Sequence, residues 1–171
     1  DGEFRTKADR LNRGVFGKSS GGYGALIHGM RYAKYWGAIA SHSGDCYFDF
    51  IYKAEWPGVL STLQRFTKTS SPPTTAQTKS GTDDGRIARF LEHIWATQKP
   101  SGSDITALMM ICMAASYDPD PRAPGRLRIP YDLNTGAALP RRWQQWLRHD
   151  PIHLAKESKE NLESLNGIFL D

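Results

Sequence analysis

The sequence predicts an α/β fold, a small parallel sheet of about three strands carrying a large helical insertion, and three observations lead there. Two short apolar runs, residues 13–17 and 36–42, flank a stretch whose apolar residues recur at helical spacing. A long middle region replaces that pattern with prolines, aromatics and separate helical segments. A last short apolar run, residues 167–171, follows a charged stretch of helical character. With 171 residues the chain has the length of one domain. The expected division of 1–171 is 1–45 for a core of strand, turn, helix and strand, 46–150 for the helical insertion, and 151–171 for a helix and final strand.

The run at 13–17 feeds into Lys18-Ser19-Ser20-Gly21-Gly22, after which Tyr23, Leu26, Ile27, Met30 and Ala33 fall at helical spacing. This reads as strand, tight turn, helix. The run at 36–42 ends in Ser43-Gly44-Asp45, a second strand leaving into a loop. Two strands joined by a helix make a βαβ unit, whose strands are parallel and whose crossover is right-handed. Residues 67–85, polar and interrupted by Pro72 and Pro73, are expected to form a mobile loop. Over 86–98, Ile87, Phe90, Leu91, Ile94 and Trp95 follow Asp83 or Asp84 as candidate N-cap, so an amphipathic helix is expected. Asp104 is a candidate cap for the next helix, with Ile105, Leu108, Met109, Cys112 and Met113 as its core stripe until Asp118-Pro119 ends it. Pro140 opens a helix that packs Trp143, Trp146 and Leu147 and breaks at Asp150-Pro151. Residues 156–165 suit a charged-faced helix and 167–171 a strand.

Composition removes several function classes. At 39% hydrophobic and 23% charged residues the chain is neither disordered nor collagen-like nor disulfide-dense. The longest apolar stretch, 105–115, is far short of the ~20 residues that cross a bilayer, so no membrane partner is expected. The net charge of +4 is spread along the chain, with only a mild cluster at Arg5, Lys7, Arg10, Arg13 and Lys18, and nucleic acid is not an expected partner. Cys46 and Cys112 are far apart and lack a CxxC spacing, so no metal, disulfide or cofactor is expected and a cytoplasmic location is the default. The N-terminus carries no signal-peptide pattern, and Glu3-Phe4 is a dipeptide that a cloning site encodes, so the natural start is expected to lie elsewhere.

The segment that carries chemistry is Gly17-Lys18-Ser19-Ser20-Gly21, a G-x-S-x-G between a strand and a helix. A serine nucleophile must stand on a sharp turn at the carboxyl end of the sheet, and small residues two positions to either side let strand and helix approach. Ser19 is the candidate nucleophile. The same turn aims the backbone N–H of Ser20 at the place where an acyl carbonyl develops negative charge, helped by the positive end of the helix. A phosphate-binding loop is excluded, because Asn12 stands where its first glycine is required.

Residues 13–26, RGVFGKSSGGYGAL, together with Ala40-Ser41-His42-Ser43-Gly44-Asp45, resemble the esterase family of α/β-hydrolases that includes esterase D and enterochelin esterase. Residues 113–119, 130–136 and 146–151 look similar to one branch of it, so the resemblance covers nearly the whole chain. It implies a partial α/β-hydrolase fold, a small-molecule ester substrate, and a helical elaboration over the active site. In that family the order is Ser, then an acid, then His. The acid is expected a few residues beyond Asp171 and the His after one further strand, so the resemblance implies a segment truncated at both ends. It also implies a second oxyanion donor from a loop upstream of Gly17.

Within the chain, His42 follows the neighbouring strand on the edge where Ser19 stands and is the candidate internal base, with Asp45 as a possible orienting acid. His28, His93, His149 and His153 read as structural or surface residues. Two functions are therefore carried: a serine carboxylic-ester hydrolase lineage, whose chemistry also serves thioesters and acyl transfer, and an inactive fragment that self-associates through exposed sheet edges into a homo-oligomer. Tyr47, Phe48, Phe50, Tyr52 and Trp56 suit either an aromatic pocket or a small helical core.

Overall fold

The computed structural model describes residues 2–67 and 83–171. In chain order it contains β1 (Gly14–Lys18), α1 (Ser20–Tyr32), β2 (Ala38–His42), α2 (Phe48–Ile51) and α3 (Trp56–Gln64). Then come α4 (Arg86–Ala96), α5 (Gly102–Tyr117), α6 (Pro140–Leu147), α7 (Pro151–Glu157), α8 (Lys159–Glu163) and β3 (Gly167–Leu170). They form two compact units, Asp1–Ile51 with Arg148–Asp171, and Tyr52–Leu147.

The first unit is a three-stranded parallel sheet in the order β1-β2-β3. Its register aligns Phe16 with Ala40 and Ala40 with Phe169. Side chains alternate between the two faces, as the period of a strand requires. On one face Ile39 is buried with Leu26 and Met30 of α1, and Val15, Leu154, Ala155, Leu162 and Leu165 pack against them, so α1, α7 and α8 cover that side. Gly29 makes the approach of α1 to β2 possible, since a Cβ there would stand 2.6 Å from Ile39 Cδ1. The other face is bare: Phe16 is 84% exposed and Phe169 58%.

A buried carboxylate fixes the chain after β2. Asp150 caps α7 by accepting from the N–H of Ile152 at 3.2 Å, and it also accepts from Tyr47 N–H at 2.9 Å and Phe48 N–H at 2.7 Å. Three donors satisfy most of the lone pairs of a fully buried anion, which would otherwise carry a large desolvation penalty.

The second unit is helical. Trp56 of α3 and Trp146 of α6 are both fully buried and meet edge to face with ring centroids 5.7 Å apart, and Val59, Leu63, Phe90 and Met110 of the same unit are buried too. Arg86, at the start of α4, is buried too, with its guanidinium donating to Leu133 O at 2.6 Å, Asn134 Oδ1 at 2.6 Å and Asp84 Oδ1 at 2.9 Å. A buried cation with every neighbour an acceptor locks α4 onto the 133–134 turn.

Four local expectations are corrected here. The buried stripe of α5 is Ala107, Met110, Ile111, Ala114 and Tyr117, not the expected one, and Ile105, Met109 and Cys112 are exposed. This helix is apolar all round, so periodicity could not choose a face; α5 packs on α3, and alanines at 107 and 114 permit close approach. Trp95 is 85% exposed at the end of α4 while Ile87, Phe90 and Ile94 are buried. The N-cap of α4 is Gly85 in the left-handed conformation, with Asp83 Oδ1 accepting from Ile87 N–H at 3.3 Å from outside the cap. The single helix over 156–165 is two, because a helix already begins at Pro151 and breaks at Ser158. Most of the loop expected over 67–85 lies outside the described residues.

Asp104 and Ser101 form a capping box at the start of α5. The Ser101 hydroxyl, donating at 2.7 Å, holds the Asp104 carboxyl below its ordinary 3.8, with help from Ser101 N–H and Arg65 and against the effect of burial. A carboxyl depressed in the folded state contributes stability in full above its unfolded value, and loses it as pH falls through 3.8 towards the folded value. In thermal melts from pH 6 to pH 3 the gap between wild type and Asp104→Asn is therefore expected to begin narrowing as pH falls below 3.8; a constant gap between them would refute the assignment.

Candidate active site

Ser19 sits between the last residue of β1 and the first of α1, with φ 54 and ψ −125. This is a conformation L-residues rarely adopt, and it costs on the order of 1–3 kcal/mol. The surrounding structure holds it there. Ser19 N–H donates to His42 O at 3.0 Å, and Ser19 O accepts from Tyr23 N–H at 2.9 Å, so the peptide is tied to β2 on one side and to α1 on the other. The turn is tight enough that a Cβ on Gly17 would lie 2.3 Å from the carbonyl carbon of Gly21. Glycine at 17 lets the strand run into the helix without a loop, whereas a Cβ on Gly21 would meet no atom within 4 Å. The Ser19 side chain is exposed and makes no capping hydrogen bond to the helix it precedes.

The loop after β2 lies along the first turn of α1. A Cβ on Gly22 would meet Gly44 Cα at 2.8 Å, and one on Gly44 would meet Ser41 Oγ at 2.2 Å. Ser20 Oγ donates to Asp45 Oδ2 at 3.3 Å. The Ser20 N–H is at the first helical position, where the backbone donor has no partner within the helix, and the first turn carries no acidic residue. Among the described residues the non-glycine positions with positive φ are Ser19, Ser43, Tyr47 and Arg126, and the first three stand at the carboxyl end of this sheet.

His42 pairs through Nδ1 with the Asp171 carboxylate, not with Asp45. The register places them: Ser41 lies opposite Leu170, so the next residues of β2 and β3 face each other, and Asp171 N–H donates to Ser41 O at 3.1 Å. That pairing was legible once β2 and β3 were known as neighbours, but not from spacing. Among the described residues the His42 ring makes no hydrogen bond to the Ser19 hydroxyl; the bond between the two residues is from Ser19 N–H to His42 O.

The remaining histidines have structural partners or stand at the surface. His28 accepts from Trp36 Nε1 at 3.1 Å, His93 packs its ring on Phe66 with centroids 5.2 Å apart, His149 O accepts from Tyr23 OH at 3.2 Å, and His153 is exposed. Burial pushes the Cys46 thiol up from 9.0 and Asp150 and Asp45 push it further, which disfavours the thiolate there. An apolar cleft of ≈ 380 Å³, walled by Leu26, Met30, Ile152, Ala155 and Leu170, opens beside Asp171, and Ser19 does not line it. Among the described residues no group of three or more His, Cys, Asp or Glu is arranged to hold a metal ion, and no helix is long and apolar enough to cross a membrane. Of the five aromatics from Tyr47 to Trp56, Phe48, Tyr52 and Trp56 are buried, whereas Tyr47 is 52% and Phe50 74% exposed.

Residues 1–170 match the Esterase family model, whose description is "Putative esterase". A search of curated proteins finds no match.

Strain at Ser19 has a measurable sign. Glycine adopts φ 54 without penalty, so Ser19→Gly is expected to be about 1–3 kcal/mol more stable than Ser19→Ala in urea denaturation. Equal midpoints for the two variants would mean that the turn is relaxed.

Proposed function

The chain belongs to this esterase family, and we propose that it is a serine carboxylic-ester hydrolase lineage member in which Ser19 is the nucleophile. The observation that carries the reading is the exposed serine at φ 54, held between strand and helix with no side-chain hydrogen bond to the helix it precedes. Ser19 Oγ attacks the ester carbonyl as its proton passes to a base. The carbonyl oxygen becomes an oxyanion facing Ser20 N–H and the positive end of α1. Collapse of the tetrahedral species expels the alcohol, which takes the proton, and leaves an acyl-serine. Water then repeats the sequence, releasing the acid and restoring Ser19. A thioester, or a second alcohol in place of water, follows the same steps.

The base has two possible sources. By the family's order of residues, the acid and His follow β3. The pairing of His42 Nδ1 with Asp171 favours a second arrangement, in which Asp171 orients the ring and His42 Nε2 takes the Ser19 proton. A fluorophosphonate probe with peptide mapping separates them. Label is expected on Ser19 and absent from Ser19→Ala; if it is absent from wild-type Ser19, the nucleophile reading fails. A fall in labelling rate of a hundredfold or more in His42→Ala assigns the base to His42, and an unchanged rate excludes it.

A second reading, self-association, is favoured by the bare face on which Phe16, Ala40 and Phe169 lie in one row and by the outer edges of β1 and β3. A second copy of the chain would cover them. Light scattering is expected to give at least twice the chain mass for wild type and the single-chain mass for Phe16→Asp; a wild-type monomer removes this reading.

A further inference from the structure

The apolar cleft beside Asp171 lies wholly within the first unit, and Ser19 is not on its lining. Its walls are Leu26 and Met30 of α1, Ile152 and Ala155 of α7, and Leu170 of β3. At ≈ 380 Å³ it falls within the roughly 300–1,000 Å³ of small-molecule sites. One polar side chain on the lining is out of keeping with these walls. Ser41 shares its face of β2 with Ile39, the face that α1 covers, and is only 3% exposed. Its backbone oxygen accepts from Asp171 N–H at 3.1 Å, but among the described residues its hydroxyl has no hydrogen-bond partner. A buried hydroxyl is ordinarily paired, because taking it out of water without a partner is costly. Gly44, also on the lining, keeps the space at this hydroxyl open, since a Cβ there would stand 2.2 Å from Ser41 Oγ.

Charge narrows the ligand. Among the described residues no Lys, Arg or His lines the cleft, and one acid, Asp171, does. Burial, then Asp150 and Asp45, raise the thiol of Cys46 on the same lining, so a negative charge is disfavoured there. An anionic head group would meet that field without a counter-charge. A cationic one would leave water for apolar walls, where the Asp171 carboxylate is already paired with His42. We propose that this cleft binds a neutral aliphatic alcohol, its chain against the apolar walls and its hydroxyl paired with Ser41 Oγ. A hydroxyl donates and accepts, so it satisfies Ser41 in either direction. The binding uses no group of the elbow and stands apart from the Ser19 reading.

The chain's own methionines report on the cleft. Met30 lies on its lining, whereas Met109, Met110 and Met113 belong to α5 in the second unit. The test is a titration of methyl-13C-methionine protein at pH 7 with 1-hexanol, hexanoate and hexylammonium, the Met30 signal being assigned with Met30→Leu. Hexanol is expected to shift the Met30 methyl saturably and leave the three α5 signals in place, and both ions are expected to bind about tenfold or more weakly. Ser41→Ala, with an unchanged melting transition, is expected to weaken hexanol about two- to tenfold, the effect of one hydrogen bond. Ile152→Trp fills the cleft and is expected to abolish the saturable shift. Ser19→Ala is expected to bind hexanol as wild type does, so failure of the nucleophile and failure of the cleft give different results. No saturable shift of Met30, hexanoate or hexylammonium binding as tightly as hexanol, or an affinity unchanged in Ser41→Ala would overturn the proposal.

Discussion

A strand that turns directly into a helix has no loop in which to change direction, and the whole change falls on one residue. At Gly17 and Gly21 the two backbones come so close that any Cβ on Gly17 would overlap the Gly21 carbonyl. The closeness forces Ser19 to a positive φ, and the hydrogen bonds to β2 and α1 keep it there. Everything proposed about chemistry depends on that contact. At that turn the hydroxyl is exposed and makes no capping hydrogen bond to the helix.

Two further constraints give the elbow its surroundings. Parallel pairing of β1, β2 and β3 in register brings the residues after each strand to one edge, so Ser19, His42 and Asp171 share that edge although they are remote in sequence. Asp150 then ties the chain after β2 to the start of α7. The sheet supplies the position and the buried carboxylate supplies the rigidity. The strained residues Ser19, Ser43 and Tyr47 gather where both act. Strain of this kind persists only where packing over-determines the backbone.

The elbow and the parallel sheet were legible in the sequence because each has a local signature. The glycine at 17 before Ser19 allows a close approach, and short apolar runs around a helical stretch point to a βαβ unit. Other features depended on partners that a linear reading does not supply. The pattern of α5 alone does not choose a face: Met109 and Cys112 read as inward but are exposed, and Ala107, Met110, Ile111 and Ala114 are buried in the helix that packs on α3. Asp150 read as part of a helix break, and only the fold shows its carboxylate holding residues 47 and 48. The five aromatics after β2 were ambiguous as a group; burial divides them into three that pack and two that do not.

The measurement that bears most directly on this account is the conformation of Ser19 in a crystal structure at a resolution that fixes its backbone and hydroxyl. The account requires φ in the positive range near 54, with Oγ exposed and the Gly17 and Gly21 backbones in contact. A helix running continuously through Ser19 with φ near −60, or Oγ packed among side chains, would contradict it.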